Sequence, residues 1–313
     1  MNRPSPANPD TESSPFHPDN AASYQRWRES KLAGYPTRAA DLVVSIRDPR
    51  TLDESEKQRL LGVLRKTNMA VYATPLGAAE DKELPRKLGA QFGLVSLDAN
   101  MLADEDAITS LRVVPEKSGR GYIPYSNRRL LWHTDGYYND SAHQIRGMLV
   151  HCVRPAAEGG VSGLLDHEIA YIHVRDANPD FVRALMQPDA MTIPPNAESG
   201  ERGAAVSGPV FSVEPATGAL HMRYTARTRS ITWKDDALTR AAVQKLEQIL
   251  AGESPYVIHH RLEAGQGLLC NNVLHSRTAF SDAPDGSRPR LLYRARYYER
   301  ITGTALNDVW NGN

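Results

Sequence analysis

The triplet His133-Thr134-Asp135, answered far downstream by His275 and then by Arg290, limits what this chain can fold into, because it supplies a metal site and an anion site in one order. Two imidazoles and one carboxylate on one face of an iron leave the opposite positions open for substrates. The segment Leu130-Leu-Trp-His-Thr-Asp135 has strand composition. Residues two apart on a strand point the same way, so His133 and Asp135 are expected to grip one ion together. His275 must then arrive from a separate strand, which requires a fold that brings distant segments into one sheet.

A short His/Asp pair is weak evidence by itself, since such motifs recur by chance. Its surroundings strengthen it. Trp132 stands directly before the pair, Gly136-Tyr137-Tyr138 directly after it, and Leu274-His-Ser-Arg-Thr-Ala-Phe280 surrounds the distal histidine. The strand-like run Arg290-Leu-Leu-Tyr-Arg-Ala-Arg-Tyr-Tyr298 alternates, placing Arg290, Leu292, Arg294 and Arg296 on one face. An inward face of this kind expects anions, and a planar guanidinium is the best fork of donors for a carboxylate. An outward basic face on an edge strand is the competing reading.

Taken together these residues resemble the taurine dioxygenase-like (TauD/TfdA) family of iron(II)/2-oxoglutarate oxygenases, over roughly residues 40 to 300, with local similarity to its γ-butyrobetaine hydroxylase branch. The resemblance implies a mainly β fold with flanking helices around a double-stranded β-helix, or jelly roll. It implies that His133, Asp135 and His275 hold iron(II), that Arg290 holds the distal carboxylate of the cosubstrate 2-oxoglutarate, and that Ser162 of Glu158-Gly-Gly-Val-Ser162 assists it. Dioxygen is the third reactant, and hydroxylation of a C–H bond with release of succinate and carbon dioxide is the expected outcome.

For the prime substrate, the resemblance assigns Arg294 to a small anion such as a sulfonate, sulfate ester or carboxylate. The butyrobetaine branch implies instead an aromatic cage for a trimethylammonium group, for which Tyr137, Tyr138, Tyr224 and Trp233 are candidates; the same rings also suit ordinary core filling. A noncatalytic jelly roll that binds a ligand or another metal is the reading from a different class. The chain departs from the family where many members carry Asp-Asn shortly before the distal histidine: here Leu269-Cys270 is followed by Asn271-Asn272. A long loop before Arg290 makes Arg288 a rival for the cosubstrate.

Composition sets bounds. Lys plus Arg equals Asp plus Glu at 37 each, so nothing argues for attraction to nucleic acid or an anionic membrane. No apolar run reaches a membrane span and the start lacks a signal pattern, so a cytoplasmic chain with a small-molecule partner is expected, self-association being left open. The two cysteines, Cys152 and Cys270, lie in apolar runs and read as buried thiols. His151 reads as a core histidine.

Residues 1–21 lack periodicity and are expected to form a flexible tail, followed by one oxygenase domain over 22–313. Strands are expected at Asp41–Ile46, Met69–Thr74, Ile145–Val153 and Leu220–Thr225. Helices are expected at Tyr24–Leu32, Asp53–Lys66 with Asp53 as cap, Lys82–Phe92, Asp166–Asn178, Asp180–Met186 and Lys234–Ala251, the last with Leu238, Ala242, Leu246 and Ile249 along its apolar stripe. The Pro/Gly/Ser-rich stretch 187–209 reads either as a lid or as a surface excursion.

Overall fold

Alternation of apolar side chains along the longest strands dictates how they stack. In Leu291–Tyr297 the side chains of Leu291, Tyr293, Ala295 and Tyr297 pack to one side with Leu60, Leu64, Leu88 and Phe92, whereas Leu292 packs to the other with Cys152 and Leu111. Met69–Ala73 divides the same way, with Ala70 and Tyr72 toward the helices and Met69 and Val71 toward the interior. A strand with both faces covered is a central strand, and this one is. The computed structural model, which describes residues 14–98, 106–113, 123–195, 204–252, 254–283 and 289–310, places Leu291–Tyr297 between Gly147–Arg154 and Thr109–Leu111. The edge-strand reading of its arginines is thereby excluded.

This major sheet has six strands, in the order Val43–Ser45, Met69–Ala73, Gln266–Cys270, Gly147–Arg154, Leu291–Tyr297 and Thr109–Leu111. A minor sheet of four, in the order Ile258–His260, Ser162–Leu165, Leu274–Arg277 and Leu130–His133, faces it. Met69, Val71, Met148, Leu268 and Cys270 of the first pack against Leu164 and Ile258 of the second. Helices Glu54–Thr67 and Glu83–Gln91 cover the outside of the major sheet. Helices Ala21–Leu32, His167–Ala177, Pro179–Leu185 and Ala237–Ala251 bury a second core behind the minor one. The result is a β-rich sandwich with flanking helices, as expected, although the described strands fall into five sheets rather than two continuous ones. Both cysteines are buried in it. Among the described residues no helix is long and apolar enough to cross a membrane.

Local signals hold where side chains act on their own neighbourhood. Asp53 caps Glu54–Thr67 and forms a reciprocal capping box with Glu56. The helix expected at Lys234 instead starts at Ala237, because Asp236 accepts the Thr239 N–H at 2.8 Å. That cap sets the phase, so Leu238 falls in the first turn and is exposed, while Thr239, Val243 and Leu250 join Ala242, Leu246 and Ile249 on the buried face.

One further expectation is corrected by packing. From Ser14 onward the expected tail belongs to the core: the Phe16 ring is fully buried and meets Trp27 and Tyr171 at 4.8 and 5.6 Å. Buried Arg175 donates to the carbonyls of Pro15, His17 and Pro18. An aromatic ring and a cation over backbone carbonyls outweigh the polar composition around them. Phe16→Ala should therefore cost about 3–5 kcal/mol, checked by urea unfolding against wild type; a loss within 0.5 kcal/mol, roughly the range of a surface substitution, would contradict the packing. The stretch 187–209 contains the paired strands Met191–Ile193 and Val206–Gly208, with Thr232–Trp233 on the other side of Met191–Ile193. Residues 196–203 of that stretch lie outside the described residues.

Candidate functional site

His133 closes the Leu130–His133 strand, and across the minor sheet its register partner is His275. The two rings are 4.2 Å apart between centroids. Asp135 is not on the strand as expected: it opens the turn that follows, where Gly136 adopts φ +67° and a Cβ would meet Ile145 at 2.4 Å. Its carboxylate nevertheless returns to the histidines, with Oδ1 3.6 Å from Nε2 of His133. One donor atom from each of His133, Asp135 and His275 lies within 4.8 Å of the others.

The donor set suits a cation. Nδ1 of His133 lies 2.9 Å from the Leu131 carbonyl, and Nδ1 of His275 2.9 Å from that of Val273. A carbonyl can only accept, so each Nδ1 carries the proton and each Nε2 presents a lone pair. Burial, with His133 adding to it, pushes His275 down to about 4, which keeps its ring neutral. For Asp135, burial opposes ionisation, but the Arg294 guanidinium and His133 outweigh it and hold the carboxyl well below its ordinary range. Arg294 donates to Oδ1 at 3.2 Å, while buried Oδ2 has no hydrogen-bond partner. An orphaned carboxylate oxygen beside two imidazole lone pairs is what a metal ion would satisfy.

Behind His275 a cavity runs between the sheets. Its polar lining is Ser162, His275, Ser276, Arg277, Arg290 and Arg294, and its wall includes Met148, Val150, Leu164 and Leu292. Arg290 is buried, its guanidinium 4.8 Å from the Phe280 ring, and burial lowers its pKa. Among the described residues no carboxylate forms an ion pair with it. Ser162 lines the same cavity as Arg290, delivered by a turn in which Gly159 and Gly160 both have φ +69°. Arg288 lies outside the described residues.

Sequence reasoning missed Arg277. It sits directly opposite Ser162 in the antiparallel pair and approaches the Phe280 ring at 4.7 Å. Burial, and then Arg290, push it down to about 10. Its position two residues after His275 on one strand was the available signal. Arg296, by contrast, is engaged elsewhere, donating to the Tyr138 hydroxyl at 2.7 Å and to Asp98.

The aromatic candidates separate. Tyr137 and Tyr138 form an edge-on pair at 5.2 Å, and Tyr224 and Trp233 form a separate stacked pair at 6.3 Å. Tyr224 is buried in the core behind the minor sheet. The four rings therefore form two pairs rather than one cage, and Tyr224, two residues past the end of the Leu220–Met222 strand, acts as core filling. His151 is likewise a core residue, bonded to the Tyr72 hydroxyl at 2.8 Å.

Comparison with known proteins places these features. The family described as taurine catabolism dioxygenase TauD, TfdA family matches residues 30–296. A uridine-5'-phosphate dioxygenase of an Amycolatopsis species is 34% identical over 176 residues, an alignment that covers 54% of this chain and spans only 61% of that relative. A second, from a Streptomyces species, is 28% identical over 244 residues, covering 75% of this chain and 87% of the relative. Among solved structures, asparagine oxygenase with Fe(II), hydroxyasparagine and succinate has a TM-score of 0.56 at 17% identity, covering 79% of this chain and 80% of that one. A structure of AAD-2 with Mn(II) and N-oxalylglycine has a TM-score of 0.58 at 13% identity, covering 84% and 97%. These structural likenesses show a shared β-rich jelly-roll fold.

Proposed function

Because the chain belongs to the taurine catabolism dioxygenase TauD, TfdA family, we propose that it is an iron(II)- and 2-oxoglutarate-dependent dioxygenase that hydroxylates a C–H bond of a small anionic substrate, a nucleoside 5'-phosphate being the first candidate. The observation that carries this reading is the convergence of His133, Asp135 and His275 within 4.8 Å at a cavity that also holds Arg290 and Arg294. His133, Asp135 and His275 would hold the iron, which with 2-oxoglutarate and dioxygen oxidises C–H to C–OH as the cosubstrate is split into succinate and carbon dioxide.

The protein's own part is binding and orientation. Arg290, with Ser162 beside it, would take the distal carboxylate of 2-oxoglutarate. Arg294 bridges Asp135 and the cavity, where its fork would receive the anionic group of the substrate. The apolar wall excludes water from the reacting carbon. Charge balance supports an anionic substrate. Three guanidiniums and a dipositive ion face the single carboxylate of Asp135, so the cavity stays positive after a 2-oxoglutarate dianion enters. A trimethylammonium substrate fits that field poorly, and the relatives named for uridine-5'-phosphate favour a phosphate ester. Where the attacked carbon bears the ester oxygen, the hydroxylated product collapses to an aldehyde and inorganic phosphate.

The test is succinate formation with iron(II), 2-oxoglutarate and, in turn, uridine 5'-phosphate, taurine and γ-butyrobetaine. Succinate that rises with the nucleotide, with or without phosphate release, supports the reading; stimulation by the betaine alone overturns the anionic assignment. Arg294→Lys keeps a charge beside Asp135 but loses the fork. It should raise KM for the prime substrate about tenfold or more, the equivalent of one charged hydrogen bond, with the 2-oxoglutarate requirement unchanged. An equal rise for both would show that Arg294 does not separate them.

A further inference from the structure

Asp135 leaves the sheet before its carboxylate is placed, so something other than the strand ladder must hold it. We infer that Asn272 is the positioning residue for the metal-binding carboxylate, tying the turn that carries Asp135 to the turn that leads into the strand of His275; this rests on the iron site proposed above. Asn272 lies in the turn between Gln266–Cys270 and Leu274–Arg277, with φ +49°, a conformation that Asn tolerates better than most residues.

The carboxamide is buried and fully engaged. Its Oδ1 accepts the backbone N–H of Asp135 at 2.8 Å, and its Nδ2 donates to the Asp135 carbonyl at 2.9 Å and the Ile145 carbonyl at 2.7 Å. One acceptor faces a donor and two donors face acceptors, so only this orientation of the amide satisfies the site. Both polar groups of the Asp135 peptide backbone are thus held by one side chain, three residues before His275 in the chain. The carboxylate and the distal imidazole become a single unit before any ion arrives. Neighbouring Asn271 anchors the same turn without touching Asp135: it donates to Asn68 Oδ1 and Thr304 Oγ1, each at 3.0 Å, and accepts the Ile301 N–H.

Two substitutions isolate the clamp. Asn272→Gly removes the side chain while suiting the positive φ. Asn272→Asp keeps the acceptor for the Asp135 N–H but turns an oxygen toward two carbonyls. Both should weaken iron(II) binding about 10–100-fold, the usual effect of losing a group that orients a metal ligand, in an anaerobic titration of folded protein. In apoprotein, hydrogen exchange at the Asp135 amide should accelerate. Asn271→Ala should lower Tm yet leave iron affinity and Asp135 exchange at wild-type values, which separates positioning from general stability.

Wild-type iron affinity in folded Asn272→Gly, or an equal loss of affinity in Asn271→Ala, would overturn the inference. If neither Asn272 variant folds, exchange at the Asp135 amide of wild-type apoprotein decides: slow exchange supports the clamp and rapid exchange removes it. Should wild type bind no iron, the proposed function fails, while the same metal-free exchange measurement still judges the Asn272 bonds.

Discussion

His133→Ala is expected to abolish iron(II) binding in a chain that remains folded, and Asp135→Ala to abolish it in a chain that is measurably less stable. The shared loss follows from the donor count: each variant leaves two of the three converging groups, and a cation held by two side chains at an open cavity exchanges readily with water. The difference in stability follows from Arg294. With Asp135 gone, a buried guanidinium loses the carboxylate it contacts at 3.2 Å, and breaking a buried ion pair from one side costs about 3–5 kcal/mol. Removing the His133 ring breaks its bond to the Leu131 carbonyl and its contacts with His275 and Asp135, while Arg294 still pairs with that carboxylate, roughly within the 0.5–3 kcal/mol of an ordinary substitution. Anaerobic titration read together with thermal unfolding checks both halves. Wild-type iron affinity in either variant would remove the metal site, and equal stability of the two would show that Arg294 does not depend on Asp135.

Arg290→Met should raise the 2-oxoglutarate requirement by about 30-fold or more, since truncating one partner of a buried charged pair costs about 2 kcal/mol or more and each 1.4 kcal/mol is about tenfold. The same variant should leave the apoprotein as stable as wild type, or more so. Arg290 is a buried cation whose pKa burial lowers, and among the described residues it rests on the Phe280 ring with no carboxylate paired to it. A thioether of similar length in that place needs no counterion. A site that is costly to keep empty and favourable to fill is the signature of a binding residue. The visible charge-transfer band of the iron(II)–2-oxoglutarate complex, titrated in both proteins, gives the first number, and urea unfolding gives the second. An unchanged requirement would move the role to another guanidinium of the cavity, and Arg277, opposite Ser162, is the one to substitute next.

Side chains that act within their own segment were legible in advance. The Asp53 cap and the alternation of Leu291–Tyr297 depend on spacing along one element, which survives whatever the rest of the chain does, and the order His133, Asp135, His275, Arg290 is a property of the chain itself. Even there the readable part was orientation rather than extent. The Ala237–Ala251 helix was evident, but its phase was set by the Asp236 cap, which put Leu238 outside.

Contacts between distant segments were not legible, for a physical reason: they depend on register and on which face is covered. Polar composition around Phe16 suggested a tail, yet a pocket made by Trp27 and Tyr171 buries that ring. Tyr224 had the composition of a cage residue and was drawn into a core. Asn271-Asn272 read only as a departure from a family pattern, since nothing in a dipeptide reveals that one carboxamide will meet the backbone of Asp135 and Ile145.

What the chain's sequence alone determined is the chemistry available, namely two imidazoles, a carboxylate and a set of guanidiniums in a fixed order on strands of known alternation. Tertiary structure decided how that chemistry is held. It brought His275 opposite His133, carried Asp135 past the end of its strand into a turn, and set Arg277 across from Ser162. Side-chain direction follows from local backbone geometry, whereas the pairing of strands far apart in the chain is settled by the burial of whole faces, a property that no single segment contains.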